Sequence, residues 1–334
     1  MRIAGRQTML VGRSQPVPRE QRREECGGEK CSAVQDSDPR YWDWNRMSLL
    51  PQSMKTARIL IFFLLALCVA MVALPNSPAT ATIIEMHIKL RTWIHPFKNS
   101  SEWTVASFER TIPSNHTAII ICDMWDKHWC KGATTRVEGL ARRMEPVLEQ
   151  ARAKSILILH APSETMPYYA NTPGRLLAER AVKVDPPTAF TPMENEPPLP
   201  LDDNDGGCDT PGDKEYKAWS RETPLLKIEP GDVISDDGHE IYNVLRQHGI
   251  DTVLMMGVHA NMCILNRSFG IRQLTKWGIH CILVRDLTDA MYNPASRPHV
   301  SHAAGTELVI EHIEKYWAPS LLSKGLLEQL SSSS

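Results

Sequence analysis

The sequence predicts a three-layer α/β/α domain built on a mainly parallel central sheet, and three observations predict it. Short apolar runs rich in β-branched residues recur at 117–122, 155–159, 252–256 and 279–284 without polar alternation, which is the mark of strands buried on both faces. Stretches with helical apolar spacing lie between them. The two kinds of segment alternate, and such alternation builds a parallel sheet covered by helices on both sides. The chain has 334 residues, 42% hydrophobic and 23% charged, which is enough to bury a large core. A formal net charge of −2 gives no electrostatic case for nucleic-acid binding.

Residues 1–46 are rich in Arg, Glu, Gln, Gly and Pro and carry no apolar periodicity, so they read as disordered or as lying upstream of the true start. Residues 47–81 read as a secretory signal peptide or an uncleaved anchor. The basic Met54-Lys-Thr-Ala-Arg58 precedes an apolar run from Ile59 to Leu74 and an Ala79-x-Ala81 site. The expected location is therefore exported, periplasmic or extracellular. Without this segment five cysteines remain: Cys122, Cys130, Cys208, Cys263 and Cys281. An odd number in an exported chain leaves a free thiol. Cys122 and Cys281 fall inside strand patterns, whereas Cys130 and Cys208 fall in loops and can pair in an oxidising compartment.

An N-terminal extension, 82–114, holds short strands around Thr82–Leu90 and Trp103–Phe108. The main domain, 115–320, begins with the strand Thr117–Cys122, which ends at Asp123. A helix follows over Thr134–Ala153, with Val137, Leu140, Met144, Val147 and Leu148 on one face. The strand Ser155–Leu159 leads to His160. An insertion, 161–230, is rich in Pro, Asp and Glu, and a segment of that length in a compact domain is functional or a lid. Next come a short strand Asp232–Ser235, a helix Glu240–His248 closed by Gly249, and the strand Thr252–Met256. Helical spacing then runs from Met262 through Ile264, Leu265, Phe269 and Leu274. The strand Ile279–Val284 ends near Asp286, a helix covers His299–Trp317, and 321–334 reads as a disordered tail.

Cys263 stands where a strand gives way to a helix. A helix N-terminus lowers a thiol pKa, and the thiolate is a nucleophile. The competing reading is a small buried hydrophobe. Asp123, His160, Asp236, His259 and Asp286 also fall at strand ends, where parallel sheets bind ligands, and this clustering favours the nucleophile.

Two motifs now carry a family resemblance over residues 115–317. One is Ala-Ile-Ile-Ile-Cys-Asp123-Met-Trp. The other is Gly-Ile-Asp-Thr-Val-Leu-Met-Met-Gly257-Val258-His259-Ala-Asn-Met262-Cys263. The chain resembles the isochorismatase-like cysteine hydrolases, which include nicotinamidases and N-carbamoyl amidases and have a Rossmann-like sheet. The resemblance implies a non-proline cis peptide at Val258–His259. It also implies hydrolysis of a small amide-type C–N bond: Asp123 takes the thiol proton, Cys263 forms a thioester, and an oxyanion rests on the N–H of Cys263 with that of Met262 or His259.

Two departures qualify it. The family lysine stands in a Lys-x-x-x-Ser-x-Phe pattern, but this chain reads Asp232-Val-Ile-Ser-Asp236-Asp237-Gly-His239-Glu240. The candidate replacements are Lys127 and Lys227, each of which also reads as a solvated surface lysine. Where the family has Gln-Asn-Asp-Phe, this chain has Trp125-Asp-Lys127-His128-Trp129-Cys130. Trp125 and Trp129 are candidates for an aromatic substrate wall or for core anchors, and His128 for an acid/base or a structural group. His160 joins the substrate-binding candidates. The Asp-x-His pair that holds the nicotinamidase metal is absent from His160-Ala-Pro-Ser-Glu164. The spacing of His128, His160 and Glu164 is not diagnostic, so no metal and no other cofactor is expected. The expected partner is a small-molecule substrate, with room for a homo-oligomer. The alternatives are a degenerate family member that binds a small ligand without turnover, and an isochorismatase-type ether hydrolase, against which Cys263 argues.

Overall fold

The computed structural model describes residues 83–188 and 196–332. The expectations for 1–81 lie outside the described residues. In chain order the strands and helices are β1 (Glu85–Ile94), β2 (Thr104–Pro113), β3 (Thr117–Cys122), α1 (Lys131–Ala153), β4 (Leu157–Ala161), α2 (Met166–Tyr169), α3 (Pro173–Glu179), β5 (Val233–Ile234) and α4 (Gly238–Gln247). They continue with β6 (Thr252–Val258), α5 (Cys263–Asn266), α6 (Ile271–Lys276), β7 (His280–Asp289), α7 (His302–Tyr316), β8 (Ser320–Leu321) and α8 (Ser323–Ser332). Among the described residues no helix is long and apolar enough to cross a membrane.

One eight-stranded sheet runs in the order β2-β1-β8-β7-β6-β3-β4-β5. The six strands from β8 to β5 pair in parallel, and β1 and β2 add an antiparallel hairpin at one edge. This matches the predicted class. Within the parallel set the chain starts at β3, moves outward to β5, and then restarts at β6 on the other side of β3. Loops leaving β3 and β6 therefore diverge, and their carboxyl ends enclose a crevice.

Alternation along the strands builds two cores. Ile119, Ile121, Leu254, Met256 and Ile282 face α1 and α8, whereas Ala118, Ile120, Leu159, Val253 and Met255 face α4, α6 and α7. Burying each large aliphatic side chain stabilises the fold by about 1.5–3 kcal/mol relative to exposure.

Several elements differ from expectation. The apolar spacing after Met262 does not make one helix, because the chain breaks at Arg267–Gly270 between α5 and α6. Gly270 lies against the Leu265 carbonyl, where a Cβ would crowd it, so the break depends on glycine. β7 continues past Asp286 to Asp289, with a register shift opposite Met255–Gly257, so Asp289 rather than Asp286 ends the strand. Asp286 instead caps α8, accepting the Ser323 N–H at 2.8 Å and its hydroxyl at 2.6 Å. The stretch expected to be a disordered tail holds the end of β8 and all of α8, with Leu326 and Leu330 fully buried. Leucines at i and i+4 on a ten-residue helix form an apolar stripe that the hairpin and α1 cover.

The insertion contains α2 and α3 and is tied down twice. Cys130 and Cys208 form a disulfide. Further along, the Thr223 N–H donates to the Met124 carbonyl at 2.7 Å, and the Asp126 N–H donates to the Arg221 carbonyl at 2.9 Å. Residues 209–221 thus form a strap over the loop that leaves β3. Asp213 and Thr210 of this strap also cap α1, accepting the N–H groups of Lys131 at 2.7 Å and Gly132 at 2.9 Å.

Candidate active site

β3 and β6 approach each other closely at their carboxyl ends, where Cys122 pairs with Gly257. Gly257 has φ +116, and a Cβ there would run into the Cys122 carbonyl oxygen, so only glycine permits this approach. Beyond it Asp123 adopts φ +48, a left-handed conformation that aspartate tolerates better than most residues. The Val258–His259 peptide is cis, as the resemblance implies. These two exits aim Asp123 and Cys263 at each other across the crevice.

Asp123 is completely buried. Its Oδ1 accepts the Ser163 N–H at 2.7 Å and its Oδ2 accepts the Arg267 Nε–H at 3.0 Å. The Cys263 thiol hydrogen-bonds the same carboxylate, and the His259 N–H donates to the Cys263 sulfur. Burial raises the Asp123 pKa; Arg267 and these hydrogen bonds oppose the rise. Burial and then the Asp123 charge push the Cys263 thiol well up. The helix that was expected to acidify the thiol is a single turn of four residues, so its dipole is small and burial acts against it. Both shifts favour the protonated thiol beside the carboxylate.

Arg267 supplies the cation that the sequence left unassigned. It follows Cys263 by four residues, and its N–H closes the turn on the Cys263 carbonyl at 3.1 Å. That turn brings the guanidinium back beside the nucleophile. Its other arm lies 3.7 Å from Glu164. The i, i+4 spacing of Cys263 and Arg267 places both on one side of a helical turn, but spacing alone does not bring the guanidinium to Asp123. Neither candidate lysine fills the role. Lys127 is exposed, and Lys227 pairs with Glu145 of α1 at 3.6 Å.

The remaining predicted residues divide into those near the nucleophile and those committed elsewhere. Trp125 is buried, donates to the Ser163 carbonyl at 3.0 Å, and stacks on Trp219 at 4.1 Å. It anchors the strap onto the Asp123 loop rather than forming an open wall. Trp219 escaped the sequence reading because the insertion has no periodicity. The His128 ring stands 5.2 Å from that of His259, edge to face. Burial and then Arg136 lower the His128 pKa to about 4; burial and then His128 lower that of His259 to about 3. Both rings are neutral at physiological pH, and the Cys130 N–H donates to His128 Nδ1 at 3.1 Å. Trp129 packs beside Met262 and the disulfide.

His160 does not reach substrate. It is completely buried, with Nδ1 2.7 Å from Glu222 and Nε2 3.1 Å from Asp232. Burial alone would depress its pKa, but the two carboxylates more than offset this and raise it to about 9. It is a buried imidazolium that ties β4 to the insertion. Both ring nitrogens being occupied, it does not join His128 and Glu164 in a ligand set. Among the described residues the one metal-compatible grouping is Cys130, Cys208 and Asp213, and its two sulfurs form the disulfide. The Met262 N–H donates to the His259 carbonyl at 3.0 Å, which commits it to the turn. That leaves the N–H groups of His259 and Cys263 beside the sulfur.

Fold and site together define a doubly wound α/β protein that holds a cysteine against a buried carboxylate and a guanidinium at its strand crossover. The isochorismatase domain model matches residues 117–309, more than half of the chain, and the protein belongs to that family of hydrolases. Among solved structures, a cysteine hydrolase from Pseudomonas syringae pv. phaseolicola 1448A is similar at 16% identity and TM-score 0.43, over 67% of this chain and 96% of that one. An isochorismatase from Pseudomonas putida KT2440 is similar at 13% identity and TM-score 0.39, over 63% and 90%. An isochorismatase family protein from Burkholderia thailandensis gives 13% and 0.39, over 65% and 97%. No curated protein matches the chain.

Proposed function

We propose that the protein is an exported hydrolase that cleaves a small non-peptide amide through a Cys263 thioester. The observation that carries this reading is the convergence of Cys263, Asp123 and Arg267 at the β3–β6 crossover. Because Arg267 supplies a cation where the family lysine is missing, the main argument for a degenerate binder weakens.

In the first half-reaction the Cys263 sulfur attacks the amide carbonyl carbon, and its proton passes to Asp123 Oδ2 or Oδ1. Arg267 keeps that carboxylate ionised and oriented until the proton arrives, and its permanent charge excludes it from proton transfer. The carbonyl oxygen becomes an oxyanion beside the N–H groups of His259 and Cys263. Protonated Asp123 then gives its proton to the departing nitrogen, the C–N bond breaks, and a thioester remains. Water attacks the thioester with Asp123 again as base, releasing a carboxylic acid and restoring the thiol. The Cys130–Cys208 disulfide supports an oxidising compartment.

A panel of small amides, ureas and carbamates tests the reading, with Cys263→Ala as control. Turnover of one amide that vanishes in the variant, together with mass-spectrometric detection of an acylated Cys263, is expected. No hydrolysis across the panel, with Cys263 unreactive to iodoacetamide, would favour ligand binding without turnover.

A further inference from the structure

The sheet ends on two unequal edges. At one, β5 has only two residues. At the other, β2 runs for ten residues in unbroken register against β1, and among the described residues no strand pairs with its outer side. Folded chains blunt such edges with bulges, prolines or a covering segment, because an open ladder recruits another strand. β2 has no bulge, and its proline, Pro113, stands at the very end. The hairpin also lies outside the family domain at 117–309.

Backbone contacts fix which groups face outward. The Ser114 N–H donates to the Ile84 carbonyl at 2.9 Å, and the Ser114 hydroxyl accepts the Ile84 N–H at 3.0 Å. Even-numbered residues of β1 therefore turn their backbone groups toward β2. Odd-numbered ones turn away, as the His87 N–H does in donating to Gln329 of α8 at 3.0 Å. By the alternation of an antiparallel ladder, Val105, Ser107, Glu109 and Thr111 present their N–H and C=O groups at the open edge. Apolar surface accompanies them, since Val105 is 48% and Phe108 43% exposed.

We propose that this edge binds a second copy of the chain, β2 antiparallel to β2, about a two-fold axis at Phe108. A two-fold axis normal to the sheet keeps every side chain on its own face, so it sets one residue of β2 opposite its own copy. At Glu109 or Arg110, like charges would stand directly opposite, which is destabilising. At Ser107 the outward groups of Thr111 would lack partners, and axes nearer either end leave more of them unpaired. At Phe108, Val105 meets Thr111 of the second copy and Ser107 meets its Glu109, so every outward N–H and C=O from Val105 to Thr111 is bonded. Phe108 then faces its own copy in a non-hydrogen-bonded pair, where side chains approach most closely. That pair extends an apolar row between the buried Leu90 of each copy. Each Glu109 keeps Lys89 of its own β1 beside it. The inference is independent of the amide-hydrolase reading.

Two measurements test it on the full chain. Sedimentation velocity from about 1 to about 200 µM is expected to show a monomer–dimer equilibrium. Ser107→Pro removes an outward N–H and no bond to β1, a replacement that edge strands tolerate. It should raise the dimer dissociation constant about thirtyfold or more, with the far-ultraviolet circular dichroism of wild type. Phe108→Cys should cross-link to its own copy under mild oxidation, with the joined peptides identified by mass spectrometry. The Cα separation of a non-hydrogen-bonded pair, about 4.5 Å, lies within disulfide range. Glu109→Cys, whose own copy lies on the diagonal about 7–8 Å away, should cross-link about tenfold more slowly or worse. A chain that stays monomeric throughout, or a dimer whose dissociation constant is unchanged by Ser107→Pro, overturns the assignment. Cross-linking through Glu109→Cys as fast as through Phe108→Cys overturns the register and the axis with it. Should Ser107→Pro lose the wild-type dichroism, the two cysteine variants decide alone.

Discussion

Replacing Arg267 with Gln removes the one cation in contact with a carboxylate that has no solvent exposure. Taking one partner from a buried ion pair typically costs about 3–5 kcal/mol, because the other charge stays buried and unpaired. The Arg267 side chain is 28% exposed, so water screens part of the pair and the lower end applies, about 3 kcal/mol. At about 1.4 kcal/mol per tenfold, that is roughly a hundredfold shift of the Asp123 protonation equilibrium toward the neutral acid. The carboxylate already titrates above its ordinary value, so the loss pushes it further in the same direction. Without an ionised base the Cys263 thiol keeps its proton. Iodoacetamide alkylation of Cys263, followed by mass spectrometry from acid to mildly alkaline pH, reads this without knowledge of the substrate. The acid limb of the rate profile should move to higher pH in Arg267→Gln, with the rate on that limb down by up to about a hundredfold. Arg267→Lys should recover part of the rate, since it restores charge but not the Nε geometry. An Arg267→Gln profile that overlays wild type would refute the assignment.

Four further outcomes are expected. Cys263→Ser should reduce amide turnover by about a thousandfold or more while leaving Asp123 a hydrogen-bond donor; turnover near wild type would exclude the thioester. Gly257→Ala should destabilise the domain by about 3 kcal/mol, because the residue combines φ +116 with the Cys122 carbonyl in the path of a Cβ; an unchanged melting temperature would mean that β3 and β6 do not approach so closely. His160 has a folded pKa of about 9, above its unfolded value of about 6.5. Its stabilisation is therefore full below pH 6.5 or so and is lost as pH rises through about 9, and His160→Gln should flatten that part of a melting-temperature profile. Reducing Cys130–Cys208 opens a link across 78 residues, worth about 4 kcal/mol in chain entropy, and should lower the melting temperature by roughly 10 °C; a melt insensitive to reductant would contradict the tie.

Much of this architecture was legible because burial and periodicity act locally. Apolar runs marked β3, β4, β6 and β7 to within a few residues, and the leucine–valine face of α1 marked that helix. What resisted reading depended on contacts between distant segments. α8 looked like a polar tail because its ten residues hold only three leucines, of which Leu326 and Leu330 are buried beneath the hairpin and α1. The helical spacing after Cys263 was real, but its interruption depends on Gly270 seated against the Leu265 carbonyl. The strand-end position of His160 suggested a substrate contact, whereas Glu222, 62 residues on, returns to neutralise it.

From the sequence alone came the fold class, the pairing of Asp123 with Cys263, and the availability of Cys130 and Cys208 for a disulfide. The fold class and the cysteine pair follow from residue type and short-range spacing, and the Asp123–Cys263 pairing from the family resemblance. The tertiary structure alone decided which cation faces Asp123, which N–H groups remain beside the sulfur, and that burial acts against the thiolate. Those properties arise from burial and from charges brought together across the crossover, where a few ångströms determine the electrostatics and no local pattern records them.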